Sequence, residues 1–185
     1  MISSRRAANT ARPCRLQDLR ALILVGPPGA GKSSVLTTLT GLLTEDDVRH
    51  AAVEVEALAL VHPWPDDDAA FAHLEAVAHS FRERGYPLLL VGATVENPEY
   101  LQRLVDGLGP VDPFLVRLDA PVPLLRERIT RREPPEWTGL QRLLDAAGAL
   151  SATHAALPGV DLVLSTENVH PRAVASVIRD ALKTL

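Results

Sequence analysis

Five short apolar runs, each followed by a stretch with helical spacing, predict a three-layer α/β/α sandwich around a five-stranded, mostly parallel sheet. Two further observations support that class. Runs such as Ala21-Leu22-Ile23-Leu24-Val25 and Leu88-Leu89-Leu90-Val91 are unbroken rather than alternating, as strands covered on both faces require. The length, 185 residues, suits one domain with a full α/β core.

The elements follow in order. Ala21 to Val25 reads as the first strand. Ser34 to Leu43 carries Val35, Leu36, Leu39, Leu42 and Leu43 at helical spacing. Ala51-Ala52-Val53-Glu54-Val55-Glu56 reads as a second strand ending in two acids on one face. His62-Pro63-Trp64-Pro65 forms a stiff loop, and Asp66-Asp67-Asp68 supplies the N-cap of a helix that buries Phe71, Leu74, Val77, Ala78 and Phe81 and stops at Gly85. Leu88 to Val91 is a third strand. Asn97-Pro98 caps a helix over Leu101, Leu104, Val105 and Leu108. Phe114 to Leu118 is strand four, followed by helices over Leu124, Leu125 and Ile129 and from about Pro135 to Ala147. Val160 to Leu164 is strand five, and His170-Pro171 opens a closing helix over Val174, Val177, Ile178 and Leu182. Residues 1–19, polar and Arg-rich without an apolar core segment, read as a flexible tail rather than a secretory or twin-arginine signal, which leaves 20–185 as the folded domain.

Composition narrows the function. A net charge of −4 and no basic stripe argue against a nucleic-acid partner. No apolar stretch is long enough to span a membrane, so none is expected as a partner. Cys14 is the single cysteine, which excludes an intrachain disulfide and fits a reducing cytoplasm. The histidines lack metal-ligand spacing: His73 and His79 fall on different faces of one helix. Oligomeric state is left open.

Gly26-Pro27-Pro28-Gly29-Ala30-Gly31-Lys32-Ser33, followed by Ser34, fits G-x-x-x-x-G-K-[ST] at every fixed position. It joins an apolar strand to a helix, where backbone N–H groups and the positive end of a helix dipole can cradle phosphate oxygens. Lys32 would reach the β- and γ-phosphates, and the Ser33 hydroxyl would ligate Mg²⁺. Of the 19 basic residues only Lys32 and Lys183 are lysines, so the ammonium at this point stands out in an arginine-rich chain. ATP or ADP is the expected ligand: with Lys183 the only other lysine, an Asn-Lys-x-Asp guanine-reading loop is impossible. The third strand ends Val91-Gly92-Ala93-Thr94 without the acid that motor-like and hexameric ATPases place there.

The acids lie instead at Glu54-Val55-Glu56. In that placement the chain resembles the P-loop kinases of small molecules and nucleotides, such as the shikimate, gluconate and adenylylsulfate kinases, which carry Asp-x-Asp there. The resemblance implies a P-loop NTPase fold and phosphoryl transfer to a hydroxyl. Glu54 would steady the Mg²⁺ shell and Glu56 would orient or deprotonate the acceptor. Leu118-Asp119-Ala120-Pro121 and the following arginines are similar to the approach to these kinases' lid, here residues 126–137. Arg128 and Arg132, one helical turn apart, match the phosphate-clamping pair. Thr166, in Ser165-Thr166-Glu167-Asn168, falls beside the expected adenine position.

Departures limit the resemblance. Ala72 stands where shikimate kinases have a carboxylate-binding Arg, and Gly92-Ala93-Thr94 replaces their Gly-Gly-Gly. In the acceptor-side region, residues 57–84, the arginines are Arg82 and Arg84, too few to hold a second phosphate. With His62, Trp64, Asp66, Asp67, Asp68, Glu96 and Glu99 nearby, a neutral or cationic hydroxylated acceptor is expected. Trp64 and Trp137 lie in Pro-flanked loops where an indole either packs or stacks on a ligand ring. Three functions remain open: an ATP- and Mg²⁺-dependent kinase for a small hydroxylated molecule, a non-catalytic or slowly hydrolysing nucleotide-binding protein that regulates a partner, or a nucleotide-sugar toxin kinase, which needs the same core.

Overall fold

β1 (Arg20–Val25) is the central strand, because every residue from Ala21 to Val25 is apolar and each is buried to within 2% exposure. In the computed structural model, which describes residues 20–62 and 67–184, it is followed by α1 (Lys32–Glu45), β2 (Ala51–Glu54), α2 (Val55–Leu58) and α3 (Asp67–Glu83). Then come β3 (Leu88–Ala93), α4 (Pro98–Gly107), β4 (Pro113–Asp119), α5 (Val122–Arg132), α6 (Leu140–Ala155), β5 (Leu162–Ser165) and α7 (Pro171–Leu182). The strand order is β2-β3-β1-β4-β5 and every pairing is parallel, so the expected sheet is parallel throughout.

Strand alternation sorts the core into two layers. Leu22 and Leu24 face α1 and α7 through Leu39, Leu42, Val174 and Ile178. Ala21, Ile23 and Val25 face α3 and α4 through Phe71, Leu74, Leu101 and Leu104. Rings of Phe71 and Tyr100, 4.9 Å apart, join α3 to α4. Capping fixes the helix starts that the sequence announces. The Asn97 side chain accepts from the Tyr100 N–H at 2.7 Å with Pro98 in the first turn, and His170 Nδ1 accepts from the Arg172 N–H at 3.2 Å before Pro171.

Two expected elements differ. The second strand stops at Glu54, and Val55–Leu58 turns helical, so Glu56 is not a strand residue. The turn drives Val55 into the core at 2% exposure and leaves the Glu56 carboxylate in a first helical turn, where a negative charge is favoured. The helix expected from about Pro135 to Ala147 begins at Leu140 and runs to Ala155. Pro134-Pro135 and the turn bond from Trp137 N–H to the Pro134 carbonyl (3.0 Å) occupy the residues before it. Trp64, Asp66, the Asp67 and Asp68 side chains and residues 1–19 lie outside the described residues.

The parallel order brings the carboxyl ends of all five strands to one edge, with β1 between β3 and β4 where the chain's direction of crossover reverses. Ligands of open α/β sheets bind at that switch point.

Candidate active site

The loop after β1 is shaped by its glycines. Gly29 has φ +83°, and a Cβ there would stand 2.6 Å from the Leu125 carbonyl oxygen of α5. Only glycine serves both the left-handed backbone and the close approach. Gly31 is the N-cap of α1, with no side-chain oxygen occupying the helix terminus. Pro27, Pro28 and Ala30 are buried, which seats the loop firmly on the sheet edge.

Lys32 opens α1 and its Nζ donates to the carbonyls of Gly26 (2.8 Å) and Pro27 (3.4 Å). Burial pushes its pKa below the ordinary value, opposed by the charges of Glu56 and Glu54 and reinforced by Arg132. The Ser33 hydroxyl donates to Glu54 Oε2 at 3.0 Å. Glu56 Oε1 accepts from the Thr94 backbone N–H at the end of β3. The β2–β3 register, Glu54 opposite Gly92, brings these groups together. Lys32, Ser33, Ser34, Glu54, Glu56 and Arg132 thus line one cavity of about 270 Å³.

Arg128 lies on the other side of the loop. Its guanidinium donates to the Gly29 carbonyl (3.2 Å), to Thr166 Oγ1 (2.9 Å) and to the Thr166 carbonyl (2.7 Å). Thr166 is buried, and its N–H donates to the Asp119 carbonyl at 2.8 Å. Arg128 therefore ties the phosphate loop to the segment after β5. Arg132 is exposed and paired with Glu133, its nearest N–O distance 2.6 Å. Both arginines line a second cavity of about 340 Å³, with Gly29, Gly31, Ser34, Thr166 and an apolar wall of Val169, Pro171 and Val174.

The phosphate loop, Glu54, Glu56, Arg132 and, across the loop, Arg128 and Thr166 are thus gathered at one sheet edge. No sequence signal marks the Thr94 N–H, a backbone group, or Leu143 of α6, which also lines the 270 Å³ cavity. The Val169-Pro171-Val174 wall was readable only as the start of a helix. Arg82 is away from the site, packed against Gly109, and the Arg84 carbonyl accepts from Arg49. His73 bonds the Leu58 carbonyl and His79 pairs with Glu83, ordinary surface roles.

Ser33 Oγ and Glu54 Oε2 form a pair of hard oxygen donors that fits Mg²⁺, which takes one or two protein oxygens and completes its shell from phosphates and water. Among the described residues no cluster of three or more His, Cys, Asp or Glu could hold a metal alone. None of the described helices is long and apolar enough to cross a membrane.

A family model described as an AAA domain matches residues 22–155. The chain belongs to that family. Its fold is that of the P-loop kinase-like NTPases. The tunicamycin resistance protein of Deinococcus radiodurans is similar at TM-score 0.63 and 19% identity, over 89% of this chain and 95% of that one. The APS kinase of Mycobacterium tuberculosis, in complex with AMPPNP and APS, is similar at TM-score 0.60 and 19% identity, over 90% and 98% of the two chains. The shikimate kinase of Acinetobacter baumannii, in complex with shikimate, is similar at TM-score 0.54 and 18% identity, over 91% and 95%. No curated protein matches the sequence.

Proposed function

We propose that this protein is an ATP- and Mg²⁺-dependent phosphotransferase that phosphorylates a hydroxyl of a small molecule. One observation carries the reading: Lys32, Ser33, Glu54 and Glu56 line a single cavity, with Ser33 bonded to Glu54 and Glu56 held by the Thr94 N–H. The similar APS kinase, with its bound AMPPNP and APS, supports ATP as the donor.

Each residue has a role that follows from its position. The loop N–H groups and Lys32 bind the β- and γ-phosphates, for which Lys32 exchanges its bonds to Gly26 and Pro27. Ser33 and Glu54 would hold Mg²⁺, which neutralises charge on the phosphates. Glu56 uses Oε1 to accept from Thr94, which leaves Oε2 to orient the acceptor hydroxyl and take its proton. The new O–P bond forms as the bond from the γ-phosphorus to the β–γ bridging oxygen breaks. Arg132, exposed between both cavities, stabilises the equatorial oxygens once it leaves Glu133. The 340 Å³ cavity takes the nucleoside end, with Thr166 and Arg128 fixing its floor and Val169 and Pro171 its apolar side.

The test is ATP consumption across a panel of hydroxylated compounds, with Lys32→Ala beside the parent protein. At least one compound should raise consumption and become phosphorylated, and Lys32→Ala should abolish that turnover while its unfolding midpoint stays near the parent's. ATP binding without stimulation by any acceptor would transfer the reading to a regulatory nucleotide-binding protein.

A further inference from the structure

Next to the phosphate-side cavity is a larger cleft of about 570 Å³, lined by Glu96, Trp137, Gly139, Arg142, Leu143 and Ala146. Leu143 borders both, so the two spaces share a wall. Three side chains of this cleft, Trp137, Glu96 and Arg142, are poorly explained by folding. Trp137 is 42% exposed, although an indole gains much from burial. It lies against Gly139, where a Cβ would collide with the ring. Turn bonds from Trp137 N–H to Pro134 and from Leu140 N–H to Trp137, each 3.0 Å, pin its backbone. The ring is thus supported, fixed and open. Glu96 and Arg142 are exposed, and among the described residues neither side chain has a hydrogen-bond or ion-pair partner. A carboxylate only accepts and a guanidinium only donates, so one cleft offers both complements to a ligand around an aromatic platform.

Resting on the phosphotransferase reading, we infer that this cleft holds the far end of the acceptor: a planar heterocycle bearing both an N–H donor and a carbonyl-type oxygen, attached to the alcohol that receives phosphate. The ring stacks on Trp137, its N–H faces Glu96 and its oxygen faces Arg142, while the alcohol passes Leu143 toward Glu56. The cleft volume falls within the roughly 300–1,000 Å³ of sites that enclose drug-sized ligands, which a three-carbon polyol leaves mostly unfilled.

The experiment is calorimetry on the ADP-loaded protein with uridine and pyridoxine as planar-ring alcohols, glucose as a saturated ring, and glycerol and homoserine as ring-free alcohols. A planar-ring probe should bind tightest. Its emission quench should be seen in a Trp64→Phe background, where Trp137 is the sole tryptophan. Trp137→Ala and Arg142→Ala should each weaken that probe about fivefold or more. ADP affinity should stay within about twofold, because the substitutions are outside the nucleotide cavity. Glucose, glycerol or homoserine binding as well as the planar probes, no binding by either planar probe, or indifference to Trp137→Ala would overturn the inference. Phosphorylation of glycerol or homoserine with no ring preference would sink this cleft but leave the kinase reading standing. Planar-ring binding without transfer from ATP would do the reverse.

Discussion

The loop after β1 and the cleft around Trp137 are built on opposite principles. The loop from Gly26 to Ser33 is a contiguous stretch seated between a strand buried from Ala21 to Val25 and the 14-residue helix α1, and much of its shape comes from local backbone requirements. The cleft around Trp137 is assembled from the segment after β3, the α5–α6 turn and the first turns of α6, and its exposed Glu96 and Arg142 have no hydrogen-bond or ion-pair partner among the described residues. The first region is specified by its own sequence and tolerates little change. The second is specified by what surrounds it, and its open side chains leave room for specificity to vary without disturbing the core.

The largest expected effect breaks the comparison at the point where the two regions meet. Glu56→Gln keeps the shape and the bond from Thr94 but removes the charge that, on the proposed function, would take the acceptor proton. Turnover should fall roughly 10²–10⁴-fold, while ADP affinity stays within a few-fold. Glu54→Gln should instead shift the Mg²⁺ dependence of turnover along with its rate, because Glu54 is the residue bonded to Ser33. Steady-state rates against acceptor and Mg²⁺ concentration separate the two; parent-like rates in both would leave these acids as surface charges.

How much of this was legible follows from the same division. The strands, the phosphate loop and the caps at Asn97 and His170 could be read because their causes lie within a few residues: apolar runs, glycines, and a capping residue before proline. The end of β2 could not, because an alternating Val-Glu-Val-Glu pattern continues past the point where Val55 turns into the core. The sequence puts the start of α6 near Pro135 rather than at Leu140, because the turn bonds and the Trp137–Gly139 contact that precede the helix leave no local pattern. The kinase resemblance singles out Arg128 as a phosphate-clamping lid arginine, whereas in the structure it ties the loop after β1 to the segment after β5. Its partners, Gly29 and Thr166, are 99 and 38 residues away, and no local pattern reports them.

A smaller effect sharpens the picture of the rigid side. Arg128 is partly buried and donates to two carbonyls and a hydroxyl, so Arg128→Ala leaves acceptors without partners. A loss of about 1.5–3 kcal/mol in unfolding free energy is expected, together with weaker ADP binding. Arg128→Lys should recover little, since one ammonium cannot reproduce the fork that spans Gly29 and Thr166. Urea unfolding with and without ADP reads both effects. An unchanged midpoint in Arg128→Ala would mean that the guanidinium is not the tie between the phosphate loop and the β5 segment.

The smallest effect tests whether the two regions are joined through the core. His154, on α6, is 1% exposed and its Nε2 meets the Val95 carbonyl, one residue before Glu96 of the cleft. A carbonyl only accepts, so Nε2 carries the hydrogen; Nδ1 is buried without a partner among the described residues. The His154 carbonyl in turn accepts from Arg117 of β4 at 2.9 Å. Burial lowers the His154 pKa, and the charges of Lys32 and Arg117 lower it further, against the Val95 hydrogen bond and Asp119. The folded state therefore binds its proton less readily than the unfolded chain, whose histidine titrates near about 6.5. Stability from this residue is complete above that pH and declines as pH falls below it toward the depressed folded value, by at most about 1.4 kcal/mol per pH unit. His154→Gln should lose overall stability yet show a shallower decline between about pH 6.5 and 5, above the range where most carboxylates titrate. Urea midpoints at half-unit pH steps compare the two proteins. Parallel slopes would show that His154 titrates alike in both states, and with that the buried link between α6 and the end of β3 would lose its electrostatic basis.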